Sequence, residues 1–235
     1  MAVTDGPADL TIFTPTRGRP KKLAPFVENF RKSIGADTKL VIVLDEDDPE
    51  LDSYVQVLNN LTMSWIVAPP TARGMVGALN FAFGEADLGL GFAVGFMGDD
   101  HFPRTQGWDA AYLLALRIFG PGFVYGDDLF QHEVIPTQVA MTTDIPRTLG
   151  WMVPPQFHHL FVDVVWRDLG SGMGSLTYLP DVIVEHMHPL AGKARMDKAY
   201  AIVNNTMIAR HDQAAYQHYI DFDLKNDVAK LKALQ

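Results

Sequence analysis

Leu40-Val41-Ile42-Val43-Leu44, running directly into Asp45-Glu46-Asp47-Asp48, decides the fold. The run of branched apolar side chains leaves no polar face. The strand they form is therefore covered on both sides, as in a parallel sheet flanked by helices. An antiparallel sheet with one wet face would alternate instead.

The same pattern extends outward. Leu10-Thr11-Ile12-Phe13-Thr14 is a shorter β-rich run ending in Pro15-Thr16-Arg17-Gly18-Arg19-Pro20. Leu23, Phe26, Val27, Phe30 and Ile34 then recur at helical spacing, which predicts an amphipathic helix closed by Gly35. A helix over 50–58, a strand over 62–67, a helix over 75–83, a buried strand over 92–97 and a helix over 108–118 follow. The alternation predicts an α/β fold, a doubly wound, mostly parallel sheet with right-handed crossovers. Beyond residue 120 the rhythm changes to short strands over 123–125, 134–141, 176–178 and 182–186, separated by proline- and glycine-rich loops. A helix-forming tail over 197–234 closes the chain. Neither a low-complexity linker nor a repeat interrupts it, so one domain with a C-terminal helical elaboration is expected.

Composition narrows the chemistry. The chain has 235 residues, 48% apolar and 20% charged, with a formal net charge of −9. That balance disfavours long-range attraction to nucleic-acid backbones. There are no cysteines, which excludes disulfides, thiolate metal sites and cysteine nucleophiles. No apolar run approaches the roughly eighteen residues of a membrane span. Met1–Asp9 lacks the basic start and apolar stretch of a signal peptide, so a cytoplasmic protein is expected.

Ligands of open α/β sheets bind beyond the carboxyl ends of the strands. Thr14–Arg19, Asp45–Asp48 and Asp99–His101 should therefore converge there. The turn after the first strand has one glycine, too few for a dinucleotide fingerprint, and no P-loop is present. The glycine-dense stretches 89–95 and 170–174 precede strands rather than helices. A diphosphate would instead need a hard cation between it and these carboxylates. Asp99 and Asp100 end a buried strand and are positioned to hold one. His186 or His188, in Glu185-His186-Met187-His188-Pro189, could complete the coordination, and a strand's period puts both on one face. Singly, these segments read as a solvated turn and a strand end. Together they favour a site for Mn²⁺ or Mg²⁺ held by oxygen and imidazole.

The order of these features resembles the GT-A fold nucleotide-sugar glycosyltransferases, particularly the family 2-like enzymes and their phage-encoded relatives. The likeness covers roughly Leu10 to Tyr200 and rests on six segments. They are Thr-Pro-Thr-Arg-Gly-Arg-Pro, Val-Leu-Asp-Glu-Asp-Asp, Ala-Arg-Gly-Met-Val-Gly-Ala-Leu-Asn, Phe-Met-Gly-Asp-Asp-His, His-Leu-Phe-Val-Asp-Val-Val-Trp-Arg and Glu-His-Met-His-Pro.

The resemblance implies that Thr14, Pro15, Thr16 and Arg17 line a nucleotide pocket and that Asp45 accepts a hydrogen bond from the base. It implies that Arg73 and Asn80 contact the nucleotide-sugar. Asp99 and Asp100 stand at the DxD-type motif, Asp99 nearer the sugar or ribose and Asp100 on the metal. Because the sequence reads Gly-Asp-Asp and then His101, either carboxylate or both could touch the ion. Asp163 matches the catalytic base of inverting members, with Asp168 as a competitor.

A single GT-A-like domain would comprise a nucleotide-binding half (1–105), an acceptor-side half (106–192) and a helical tail (193–235). The implied reaction is metal-dependent transfer from a nucleotide-diphosphate sugar, UDP-linked first, to a hydroxyl of a glycan, protein or modified nucleobase. A nucleotidyltransferase and a non-catalytic nucleotide-sugar-binding protein are the alternatives. The tail's Tyr216, Tyr219, Ile220, Leu224, Val228 and Leu231 suggest packing on the domain or a homodimer contact.

Overall fold

The computed structural model describes residues 7–72, 74–85, 89–195 and 205–235. Arg73 and the first part of the expected tail helix, 197–204, lie outside the described residues. Among them β1 (Leu10–Thr16), α1 (Pro20–Ser33), β2 (Thr38–Asp45), α2 (Leu51–Leu61), β3 (Ser64–Ala68), α3 (Gly74–Gly84) and β4 (Ala93–Phe96) form the expected alternating half. Then come β5 (His101–Pro103), α4 (Trp108–Phe119), β6 (Phe123–Asp127), β7 (Val139–Thr142), α5 (Asp144–Leu149), α6 (Val162–Met173) and β8 (Leu176–His186). The tail forms α7 (Thr206–His218), a π-helical turn over Tyr219–Asp223, and α8 (Leu224–Lys232).

The strands make one eight-stranded sheet in the order β3-β2-β1-β4-β7-β6-β8-β5. β3, β2, β1 and β4 are mutually parallel, β7 runs antiparallel to β4 and β6, β8 is parallel to β6, and β5 is antiparallel to β8. This is a mostly parallel α/β sheet with helices on both faces.

β2 shows why its sequence has no polar face. Leu40, Ile42 and Leu44 enter the hydrophobic layer shared with Leu23, Phe26 and Phe30 of α1 and Trp108 of α4. Val41 and Val43 enter the opposite layer, with Leu79 of α3 and Trp166 of α6. Each fully buried branched side chain contributes roughly 1.5–3 kcal/mol of hydrophobic stabilisation. Ring contacts stitch α1 to α4: Phe30 meets Trp108 edge-on at 5.6 Å, and Trp108 meets Tyr112 at 5.2 Å. Tyr219 and Leu231 of the tail are buried in the α3–α6 layer, so the tail packs on the domain. No helix among the described residues is long and apolar enough to cross a membrane.

Five elements differ from expectation. The strand expected over 134–141 starts only at Val139, because His132–Val134 forms a 3-10 turn. The separate strands over 176–178 and 182–186 are one strand, β8, whose pairing with β6 shifts register between Gly126 and Asp127. Thr62 does not begin β3; it caps α2 with a left-handed φ of 52°. β5 and α5 have no counterpart in the expected pattern, the first being three residues long and the second containing Pro146.

Candidate active site

The carboxyl ends of β1, β2, β4 and β8 lie on one edge of the sheet, and β5 starts there. Thr14 donates through Oγ1 to the Met97 carbonyl at 2.7 Å, tying the end of β1 to the end of β4. Its side chain is fully buried and so faces the sheet rather than an open pocket. Thr16 donates to Asp99 Oδ2 at 2.6 Å and shares a 3.0 Å hydrogen bond with the Tyr54 hydroxyl. That hydroxyl accepts from the Arg19 backbone N–H at 2.7 Å.

The acidic run after β2 grips the loop after β1. Arg17 donates to Asp45 Oδ2 at 3.0 Å and also to the Asp47 carboxylate, while Gly18 N–H donates to Asp48 Oδ2 at 2.8 Å. Burial raises the Asp45 carboxyl while Arg17 pulls it down. These carboxylates therefore neither face water alone nor gather around one ion. They order Pro15–Arg19 along the sheet edge.

Asp99 and Asp100 point to different partners. Asp99 is buried and ion-paired to Arg19 Nη2 at 2.6 Å. Burial pushes its carboxyl up to about 6, with Arg19 opposing. Asp100 turns the other way, its Oδ1 3.4 Å from His101 Nδ1 and 3.6 Å from His186 Nε2. One ligand atom from each of Asp100, His101 and His186 falls within 4.8 Å of the other two. This carboxylate-and-imidazole donor set fits a divalent cation that accepts nitrogen, such as Mn²⁺, better than one demanding oxygen alone.

The backbone makes the cluster. β5 pairs with β8 in a register that sets His101 directly opposite His186, and the two rings stack at 4.0 Å with 21° between planes. Gly98 leaves the space into which Asp100 and His101 fold. A Cβ there would lie 2.8 Å from Asp100 Oδ1 and 3.0 Å from His101 Nδ1. Asp128 backs the cluster. Its Oδ1 accepts N–H bonds from Phe130, Gln131 and His132, and its Oδ2 accepts from Thr137 at 2.8 Å and lies 3.9 Å from His186 Nδ1.

The charges follow from that packing. Burial raises Asp100, but His101 and His186 hold it well below the usual carboxylate range. Burial lowers His186, yet Asp100 and Asp128 outweigh it and bring the ring up to about 9. His101 is pushed down by burial and by its charged neighbour His186.

Of the two histidines left open by the sequence, His186 joins the cluster. His188 stacks on Phe130 at 5.1 Å and accepts the Leu190 N–H at Nδ1, 3.3 Å away. Asp163 stands in the first turn of α6, where burial raises its carboxyl and the charge of His186 lowers it. Asp168 is bonded to Arg167 at 2.8 Å and to the Tyr216 hydroxyl at 2.5 Å. Asn80 lies apart from the cluster's contacts. Its amide bonds the Met152 and Val153 backbone, at 2.9 Å to Met152 N and 2.8 Å to Val153 O.

His101 and Arg19 fell within the stretches expected to converge at the site, but the sequence assigned neither a role. The signal for His101 was its position immediately after Gly-Asp-Asp, and that for Arg19 was its place in the loop after β1. Neither reveals side-chain direction.

The chain matches no family model and no curated protein. It is similar to solved structures. A mannosyltransferase from Pyrobaculum calidifontis, in complex with GDP-Man and Mn²⁺, aligns over 98% of this chain and 74% of its own, with TM-score 0.61 and 14% identity. S. aureus TarS 1–349 in complex with UDP-GlcNAc aligns over 91% and 73%, with TM-score 0.58 and 13% identity. Glucosyl-3-phosphoglycerate synthase from Mycobacterium tuberculosis, in complex with Mn²⁺, UDP and glucosyl-3-phosphoglycerate, aligns over 79% and 74%, with TM-score 0.57 and 10% identity. At these identities the likeness is one of fold, and the fold is that of the GT-A nucleotide-sugar transferases.

Proposed function

We propose that the chain is a metal-dependent glycosyltransferase that takes a nucleotide-diphosphate sugar, UDP-linked first, and transfers the sugar to a hydroxyl. The observation that carries this is the Asp100–His101–His186 cluster at the carboxyl edge of a GT-A sheet, beside the ordered Pro15–Arg19 loop. Structural neighbours crystallised with GDP-Man or UDP together with Mn²⁺ support it.

Residues 1–105 would hold the nucleotide, 106–192 the acceptor, and 193–235 would brace them. Pro15, Thr16 and Arg17 would line the nucleotide pocket, with Asp45 at the base. Arg73 would contact the nucleotide-sugar, with Asn80, bonded to the Met152 and Val153 backbone, bracing that side. Asp99 would orient Arg19 toward the phosphates and lie near the ribose. Asp100, His101 and His186 would hold Mn²⁺, with Mg²⁺ the poorer match to two imidazoles. A cation there would offset the charge that builds on the departing diphosphate. Asp163, in the first turn of α6, would take the acceptor proton as the hydroxyl attacks the anomeric carbon, giving inversion. Asp168 is already committed to Arg167 and Tyr216, which leaves Asp163 as the base. Acceptors of this chemistry include a glycan, a protein or a modified nucleobase.

Calorimetric titration of UDP-sugars and GDP-mannose with and without Mn²⁺, followed by assay of nucleoside-diphosphate release, tests this reading. Metal-dependent donor binding and release are expected. Activity undiminished by EDTA would refute the metal role, and binding without turnover on any acceptor would leave a nucleotide-sugar-binding protein.

A further inference from the structure

The loop before α6 is held from outside the site by α7. Asp212 of α7 is fully buried and receives three successive backbone N–H groups, from His158 at 3.0 Å, His159 at 2.8 Å and Leu160 at 2.7 Å. His211 Nδ1 lies 2.9 Å from its Oδ1. One turn further along α7, the Tyr216 ring stacks on Phe161 at 5.2 Å with 16° between planes. Phe161 has a left-handed φ of 65°, a conformation that a bulky side chain keeps only when its surroundings enforce it. α7 thus grips every residue from His158 to Phe161. The His158 carbonyl also passes close to Gly74, 3.0 Å from where a Cβ would stand, so the loop is pinned between α3 and α7.

What this segment carries lies on the candidate site. Phe161 caps the start of α6, which places Asp163 in its first turn. One turn on, Trp166 packs on Phe96 at 5.5 Å, and Phe96 meets the ring of His101 at 6.5 Å. Burial lowers the His159 imidazole, with the Asp212 charge opposing. Apolar contact between α7 and the loop would suffice to hold the two together. Three consecutive peptide planes aimed at one carboxylate fix direction as well.

We propose that Asp212 is a positioning residue, with Tyr216 as its second anchor. It sets the backbone of 158–161 so that Asp163, at the start of α6, is presented to the nucleotide-sugar site. This rests on the reading of Asp163 as the base.

Asp212→Asn in the full chain keeps the shape but leaves one acceptor oxygen for three donors. The expected result is a kcat lowered on the order of 10²-fold, as small misplacements of reacting groups produce, with donor Kd in Mn²⁺ changed by less than about threefold. Amide exchange at 158–160 should quicken as well. Should Asp212→Asn not fold, Tyr216→Leu, which leaves the carboxylate in place, should show the same split between kcat and donor affinity. Unchanged kcat, or kcat and donor affinity falling together, overturns the proposal. If the wild-type chain turns over no nucleotide-sugar, the functional reading fails by itself and amide exchange decides. Protection of 158–160 retained in Asp212→Asn would then overturn the positioning role.

Discussion

His101 and His186 are direct cross-strand partners of β5 and β8, and their rings stack 4.0 Å apart over the Asp100 carboxylate. Two imidazoles and a carboxylate converge because a three-residue strand pairs in one register. His101→Ala and His186→Ala should each weaken Mn²⁺ binding by at least the roughly 10–100-fold that changes in outer-shell residues cost. His188→Ala removes a ring that stacks on Phe130 and meets His186 edge-on at 4.8 Å without joining the donor set, so it should cost less Mn²⁺ affinity than His186→Ala. Titration of the free Mn²⁺ resonance in the presence of UDP measures all three. Equal losses from His186 and His188 would refute the assignment.

Gly98→Ala tests the same cluster through the backbone. Its new methyl would meet Asp100 Oδ1 and His101 Nδ1, both side-chain atoms, so the fold should survive while the cluster shifts. Mn²⁺ affinity is expected to fall by about tenfold or more, with thermal stability changed little. A large drop in melting temperature with metal binding intact would contradict this.

The sequence was legible where burial imposes a period. β2 is apolar throughout because Leu40, Ile42 and Leu44 face one helical layer and Val41 and Val43 the other. β5 escaped because three residues including Pro103 carry no periodicity. β8 read as two strands because Pro180 and Asp181 interrupt it at the bulge against β6. The polar strand ends could be placed on one edge by topology alone. The direction of each side chain could not. Asp99 and Asp100 are adjacent, yet one pairs with Arg19 and the other with the histidines. Asn80 is engaged by residues 73 positions away, a contact no local pattern encodes.

Asp163→Asn and Asp168→Asn separate catalysis from scaffolding. Asparagine at 163 cannot take a proton, so transfer should fall by about 10²–10⁴-fold while UDP-sugar Kd in Mn²⁺ holds. Asp168 bonds Arg167 and Tyr216, so Asp168→Asn should act chiefly on stability, at about 1–3 kcal/mol for weakened charge-assisted bonds. Steady-state kinetics beside thermal melting distinguishes them. Transfer abolished by Asp168→Asn with the melting temperature unchanged would reverse the two roles.

Acid should release the loop before α6 ahead of the sheet. Burial raises the Asp212 carboxyl, but His211 and the N–H groups of His159, Leu160 and His158 outweigh it and hold it below its ordinary value of 3.8. A carboxyl lowered on folding stabilises the native state fully above its unfolded pKa, and that contribution is lost as pH falls through the folded value. The titratable groups facing Asp212 are His211 on its own helix and His158 and His159 on the loop. The loss of this contribution therefore belongs to the carboxylate range. Exchange protection of the 158–160 amides should therefore stay level from neutral pH to about 4 and fall below it, while β2 amides remain protected. In Asp212→Asn the same amides should be weakly protected at every pH across this range. An identical acid transition in wild type and variant would show that another group controls the loop.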